Sequence, residues 1–344
     1  MLSRPCGLRF AQISGVMSLG MVLVSGCGTG TPSSLAKGPV SSNTPAGTNI
    51  SSGAQLGLIW NAGDATLRTL VGVPGSTQLG PALFPVGAYS AGAFAPLTQT
   101  ALLIDPKGNL QILILPSLVP ATVAQGISPS SVIAFAPRGG YAAVFAPGSN
   151  SAVMVTGLPQ APAVSSLSVT GGILGAAVSD AGTLLLATGA GSGGVAVTSI
   201  SAGGTRTSLA SLAGYGGMSF IAGSEDSLIA DAAGNTLARY HGGVATVLAT
   251  HTNGLNQPFA VAASQDGHWA VTVDQADGSL LRVDLTGATP PAQSTCACTP
   301  TQLSALSGNA VFELAAPASA PGWMIEADSP TARVLFIPPV RSGQ

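Results

Sequence analysis

Ala260-Val261-Ala262-Ala263-Ser264-Gln265-Asp266-Gly267-His268-Trp269-Ala270-Val271-Thr272-Val273-Asp274 reads as two apolar strands around a polar turn, and Leu280-Leu281-Arg282-Val283 supplies a third strand. Each run is short, rich in Val, Ala and Leu, and bounded by Gly, Asp or Ser. That pattern belongs to strands joined by tight turns, whereas a helix needs a longer run with a 3.6-residue period. Moving outward, the same triple recurs. It returns at residues 92–96, 101–105 and 110–114; at 133–137, 141–145 and 152–155; at 176–179, 184–187 and 195–197; and at 219–222, 228–231 and 236–240. A last copy occupies 312–316, 322–326 and 333–336, and an incomplete unit at 58–60 and 67–71 precedes them all.

The period is about 41 to 44 residues, with one longer step attributed to an insert around Cys296. Several short strands per unit at that spacing are the mark of propeller blades. Each small sheet is apolar on both faces and cannot cover itself, so the sheets pack face to face around a ring. The expected fold class is therefore all-β, a β-propeller over residues 55–340 with seven blades. Six blades remain open if the first unit completes the last sheet. The repeats resemble the broad bacterial group of NHL, YVTN and WD40-like propellers. Ala263-Ser264-Gln265-Asp266-Gly267-His268-Trp269-Ala270-Val271 is similar to their Ser-Pro-Asp-Gly turn, and Ala230-Asp231-Ala232-Ala233-Gly234-Asn235-Thr236-Leu237 to the Ala-Asp…Asn turn of NHL repeats. No Gly-His…Trp-Asp signature recurs, so the resemblance implies an architecture and carries no activity.

Residues 1–26 have a different logic. Arg4 and Arg9 come first, an apolar stretch from Ile13 to Val24 follows, and Val24-Ser25-Gly26-Cys27 ends it. A charged start, a short apolar core and small residues at the cut define a secretory signal; a membrane span needs about 20 apolar residues. The ending resembles the lipobox of bacterial lipoproteins: an aliphatic residue, two small ones, then a cysteine. The resemblance implies that Cys27 takes a diacylglycerol, becomes the mature N-terminus and anchors the chain by several acyl chains, which hold where one is marginal. Gly28 follows where an inner-membrane retention signal would have Asp. The expectation is export, with the outer membrane as address in a cell with two membranes. Residues 27–54 are mostly Gly, Ser, Thr, Pro, Asn and Ala, too polar to offset chain entropy, and are expected to be a disordered tether. A short tail, 341–344, closes the chain.

Charged residues make up 7% of the 344, and the net charge is −2; a typical soluble chain has about 25% charged residues. No basic patch exists, which leaves nucleic-acid binding without electrostatic footing. Cys296 and Cys298, a Cys-Ala-Cys pair, are expected to close a disulfide within one loop, since a metal site needs four ligands and no His is near in sequence. Asp105, Asp231, Asp274 and Asp328 fall at what reads as the end of a second strand, where a carboxylate caps the turn. Gly189-Ala190-Gly191-Ser192-Gly193-Gly194 matches G-x-G-x-x-G, but the strand-like Val195-Ala196-Val197 replaces the helix a dinucleotide site requires. Ala88-Tyr89-Ser90-Ala91-Gly92 approaches a nucleophile elbow and also lacks the helix. The strands read as innermost offer Phe94, Phe135, Phe220 and Phe259, with Glu313 as the one carboxylate and a candidate channel residue. No cofactor and no metal are expected. The expected function is non-catalytic: a lipid-anchored propeller binding an envelope protein or glycan through the loops at one mouth. The alternative is a lactonase-like hydrolase or lyase acting on a small or carbohydrate substrate in the channel.

Overall fold

The computed structural model describes residues 54–339 apart from 192 and 316–320. Cys27, the signal segment, the tether before Ala54 and the tail 341–344 lie outside the described residues. Among the described residues, twenty-seven strands form seven antiparallel sheets. Blade 1 holds Gln55–Asn61, Thr66–Val73 and Ser76–Ala82 (β1–β3). Blade 2 holds Ala91–Ala95, Thr100–Ile104, Leu110–Ile114 and Ala121–Ala124 (β4–β7), and blade 3 Val132–Phe135, Ala142–Phe145, Ser151–Thr156 and Ala163–Ser168 (β8–β11). Blade 4 is Ile173–Val178, Leu184–Gly189, Val195–Ile200 and Arg206–Leu212 (β12–β15); blade 5 is Tyr215–Phe220, Ser227–Asp231, Thr236–His241 and Val244–Thr250 (β16–β19). Blade 6 is Pro258–Ala263, Trp269–Asp274, Ser279–Asp284 and Ala292–Thr295 (β20–β23); blade 7 is Ser304–Ala305, Val311–Ala315, Gly322–Glu326 and Arg333–Ile337 (β24–β27).

Side chains alternate along a strand, so each blade sends one set of apolar residues to the blade before it and one to the blade after. In blade 4, Ala176, Leu184 and Leu186 pack on blade 3, whereas Ala177, Leu185 and Ala187 pack on blade 5. Seven buried clusters result, one for each junction between neighbours. The seventh joins the two ends of the chain: Leu56, Ile59 and Leu70 of blade 1 meet Leu306, Val311, Met324 and Ile337 of blade 7. That cluster closes the ring. Neither terminus lends a strand to the other's sheet, so the six-bladed alternative does not occur.

The opening stretch shows why the turns form where they do. Ser264 Oγ accepts from the backbone N–H of His268 (3.1 Å) and Trp269 (2.9 Å) and donates to Asp266 Oδ1 at 2.6 Å, and Gly267 adopts φ +71°. Only glycine enters that left-handed region without steric cost.

Two expectations are corrected. The last copy of the repeat is shifted by one strand: residues 311–315, 322–326 and 333–337 are the second, third and fourth strands of blade 7. Its innermost strand is the two-residue β24, so Glu313 sits on a second strand and not an innermost one. The innermost strands begin at Gln55, Ala91, Val132, Ile173, Tyr215, Pro258 and Ser304. The apparent insert around Cys296 is therefore mostly the connection and inner strand of blade 7.

Candidate functional site

The up-and-down order of every blade puts two kinds of loop on opposite faces of the ring. One face carries the turns after first and third strands; the other carries the turns after second strands together with the connections between blades. Two cavities are defined by this arrangement. One is central, about 390 Å³, walled by the innermost strands. The other is a side cleft of about 580 Å³ on the connection-bearing face, between the β21–β22 turn and the connection into blade 7.

The central cavity is walled chiefly by small and apolar residues of the innermost strands, with Trp60, Phe94, Phe135, Phe220 and Phe312 as its aromatics. Phe259 is absent from this wall and faces the side cleft. Glu313 borders the central cavity because β24 is too short to cover β25. It stands opposite Met324, on the face of blade 7 that packs against blade 1. Only 2% of the residue is exposed, and its Oε1 has no hydrogen-bond partner. Burial pushes the Glu313 carboxyl up to about 8, and a hydrogen bond from the Gln302 side chain offsets part of that rise.

The side cleft is bounded by Phe259, the turn Gln275-Ala276-Asp277-Gly278, and Cys298-Thr299-Pro300-Thr301. Cys296 and Cys298 are joined by a disulfide in the connection, Cα to Cα 5.0 Å. Asp277 is exposed; backbone and side-chain hydrogen bonds with Ser279 hold its carboxyl below the usual range.

Other charged groups are engaged by the fold. Asp105 Oδ1 accepts from the N–H of Lys107 (2.8 Å) and Asn109 (2.9 Å). Asp231 accepts three backbone N–H groups, from Ala213, Gly214 and Gly234, each at 2.9 Å. Asp274 Oδ2 accepts from Asn256 N–H and from Ser279 Oγ. Asp328 departs from the set: it is exposed on the turn after β26, a third strand. On the opposite face Asp180 ties three blades together, accepting from the N–H of Arg138 in blade 3 (2.7 Å) and of Gly223 in blade 5 (2.8 Å). Between blades 6 and 7, Asn309 Nδ2 donates to Asp266 Oδ2 and Asn309 Oδ1 accepts from the backbone N–H of Asp266.

Sequence reasoning missed Arg239 and Arg282, which occupy the same position on the third strands of blades 5 and 6. Arg239 pairs with Asp226 and reaches Leu285 O of the next blade. Arg282 donates to Ala327 O (3.1 Å), Ser329 O (2.7 Å) and Pro330 O (3.2 Å) of blade 7, with its guanidinium 4.3 Å from the Trp269 ring centroid. His268 stacks on the same indole and lies 3.4 Å from Asp284. The signal was present: an arginine inside an apolar run, at the same place in two copies. The residues weighed as an elbow are structural, since Ser90 Oγ donates to Ile104 O at 3.0 Å. The glycine-rich match is a hairpin turn entering β14. Among the described residues no group of three or more His, Cys, Asp or Glu is placed to hold a metal, and no helix is long and apolar enough to cross a membrane.

Fold and site together define a seven-bladed β-propeller with a narrow axial cavity and a disulfide-walled cleft at one rim. No protein-family model matches the chain, and no curated protein does. Among solved structures it is similar to a functionally unknown protein from Desulfotomaculum acetoxidans, with TM-score 0.57, 12% identity, and coverage of 83% of this chain and 100% of that one. A streptogramin B lyase matches with TM-score 0.55 and 11% identity, over 74% of this chain and 85% of the lyase. The β-propeller domain of Cps50 (Swd1) from Myceliophteria thermophila matches with TM-score 0.54 and 10% identity, over 73% and 87%. At these identities the likeness is one of fold.

Proposed function

We propose that the chain is an exported lipoprotein, lipidated at Cys27, whose propeller is a non-catalytic binding module of the cell envelope. The observation behind this reading is the division of labour among its polar groups. Carboxylates at the rims are consumed in capping turns and joining blades, Asp277 among them through Ser279, whereas the cleft between blades 6 and 7 presents an open concave surface beside that turn. There Phe259 supplies a ring, Gln275 and Asp277 supply planar polar groups, and the disulfide shortens the motion of the opposite wall. Such a mixture suits an envelope protein segment or a glycan, both of which present hydroxyl or amide groups beside apolar patches.

Capture from envelope extracts tests the reading. The wild-type chain should recover a partner reproducibly, and Phe259→Ala with Asp277→Ala should lose it. Equal recovery by both proteins, or none by either, would count against the cleft. Cys27→Ser should move the protein from the membrane fraction to the soluble one, and retention at the membrane would remove the anchor.

A second reading has one feature in its favour. Glu313 is a carboxyl held protonated near neutral pH beside a cavity, the state a general acid needs. A hydrolase or lyase of the lactonase-like kind would place a small or carbohydrate substrate there, and turnover abolished by Glu313→Gln in a lactone and glycoside panel would favour it.

A further inference from the structure

We propose that the central cavity is a binding site for a small organic cation, an amidinium or ammonium carried on an apolar body, with Glu313 as the group that receives its charge. The site goes beyond the rim cleft and does not depend on it. Its geometry has three parts. The cavity, about 390 Å³, is large enough for a compact ring with a charged head. Its wall combines alanine-rich strands with aromatic side chains, of which Trp60, Phe94 and Phe135 on three consecutive blades are only half-buried. At its edge stands a carboxylate that is 2% exposed, whose Oε1 is unpaired and whose one side-chain partner is Gln302.

A buried carboxylate without a cation is costly, and a ligand that brings the counter-charge recovers that cost on binding. An amidinium fits best. Its parallel N–H groups can satisfy both carboxylate oxygens, as an arginine fork does, and its flat body can lie on aromatic faces. Gln302 is the neighbour that must rotate, and a primary amide on a connection has the freedom to do so. No positively charged side chain walls the cavity to pair an anion, since Glu313 is the only ionisable side chain among those that line it. The elements around it bring no second charge: Ser304 on β24 and Met324 on β26 stand directly opposite, and β1 contributes Leu58, Ile59 and Trp60. The site therefore selects for positive charge and against negative.

Calorimetric titration of the full chain tests this with benzamidinium as probe and neutral benzamide, nearly the same shape, as control. The wild type should prefer benzamidinium by at least about tenfold. Glu313→Gln should abolish that preference while leaving benzamide affinity within about twofold. Affinity for benzamidinium should rise by roughly tenfold per pH unit between about pH 6 and the Glu313 value of about 8, then level off, because the cation binds the ionised carboxylate. A thermal melt of Glu313→Gln establishes that the variant is folded, and Trp60→Phe, which keeps the ring, provides a second measurement that should retain the preference. Benzamide binding as tightly as benzamidinium, no binding of either, or a preference that survives in Glu313→Gln would each overturn the proposal.

Discussion

Glu313 makes the stability of this protein depend on pH in an unusual direction. Its ordinary value is 4.5 and its folded value about 8, so between these limits the folded state holds a proton that the unfolded state has released. Stability from this group is fully present below 4.5 and is lost as pH rises toward 8, with a slope of up to about 1.4 kcal/mol per pH unit. Melting temperature should therefore fall across that window in the wild type, and the fall should vanish in Glu313→Gln; a parallel decline in both would assign the effect elsewhere. Gly175 gives a second prediction at this scale. A Cβ there would lie 1.9 Å from the Tyr215 hydroxyl, which blade 5 inserts into the notch left by the glycine. Burial has already pushed that hydroxyl up to about 12. Gly175→Ala should cost about 1–3 kcal/mol in denaturant unfolding, with Tyr215→Phe in the same chain recovering only a small part. The sequence marks Glu313 as a lone carboxylate between Phe312 and Leu314 without showing its burial or its strand, and Gly175 is one of 46 glycines.

Among the elements, the third strands of blades 5 and 6 carry the ties to the next blade. Arg282 is 9% exposed and meets three carbonyl oxygens and an indole, with no carboxylate among its partners. Arg282→Ala should cost about 2–4 kcal/mol, because three blade 7 carbonyls lose a charged donor. Arg282→Lys should recover less than half, since a point charge cannot span the three oxygens as a planar fork does. Full recovery by lysine would reduce the arginine to a charge. The strands themselves were legible in proportion to their burial. β5, β9 and β21 are buried almost throughout and read directly as apolar runs. The outer strand β11, Ala-Val-Ser-Ser-Leu-Ser, is exposed along most of its length and carries no such run. β3 contains Gly80 and Pro81, and β24 is too short to show any period. The shift of the last repeat by one strand followed from that silence at β24.

For the whole molecule, the decisive junction is the one between first and last blades. It is held by side-chain packing and a backbone bond from the Ser307 N–H to Leu56 O, without an exchanged strand, so weakening the packing should open the ring. Met324 is fully buried at this junction. Met324→Ala should cost about 2–5 kcal/mol. In hydrogen exchange it should deprotect blades 1 and 7 before blades 3 to 5, because the end blades lose a neighbour and the middle ones keep both. Uniform deprotection would mean that the ring opens as one unit.

The amino-acid sequence by itself determined the period, the all-β class and the ring, because sheets apolar on both faces in a chain whose repeats contain no helical run must cover one another. It also determined the turn chemistry at Asp105, whose bonds span only two to four residues, whereas Asp231 and Asp274 add backbone donors from the preceding connection 17 or 18 positions away. The tertiary structure alone decided the blade count, the strand on which Glu313 lies, the cleft beside Cys298, and the ties made by Asp180 and Arg282. The blade count and the two ties depend on contacts between residues about forty positions apart or at opposite ends of the chain, and the other two on a two-residue strand and a loop that carry no pattern of their own. Such contacts leave no periodic trace in a single sequence; they exist only once the ring has closed.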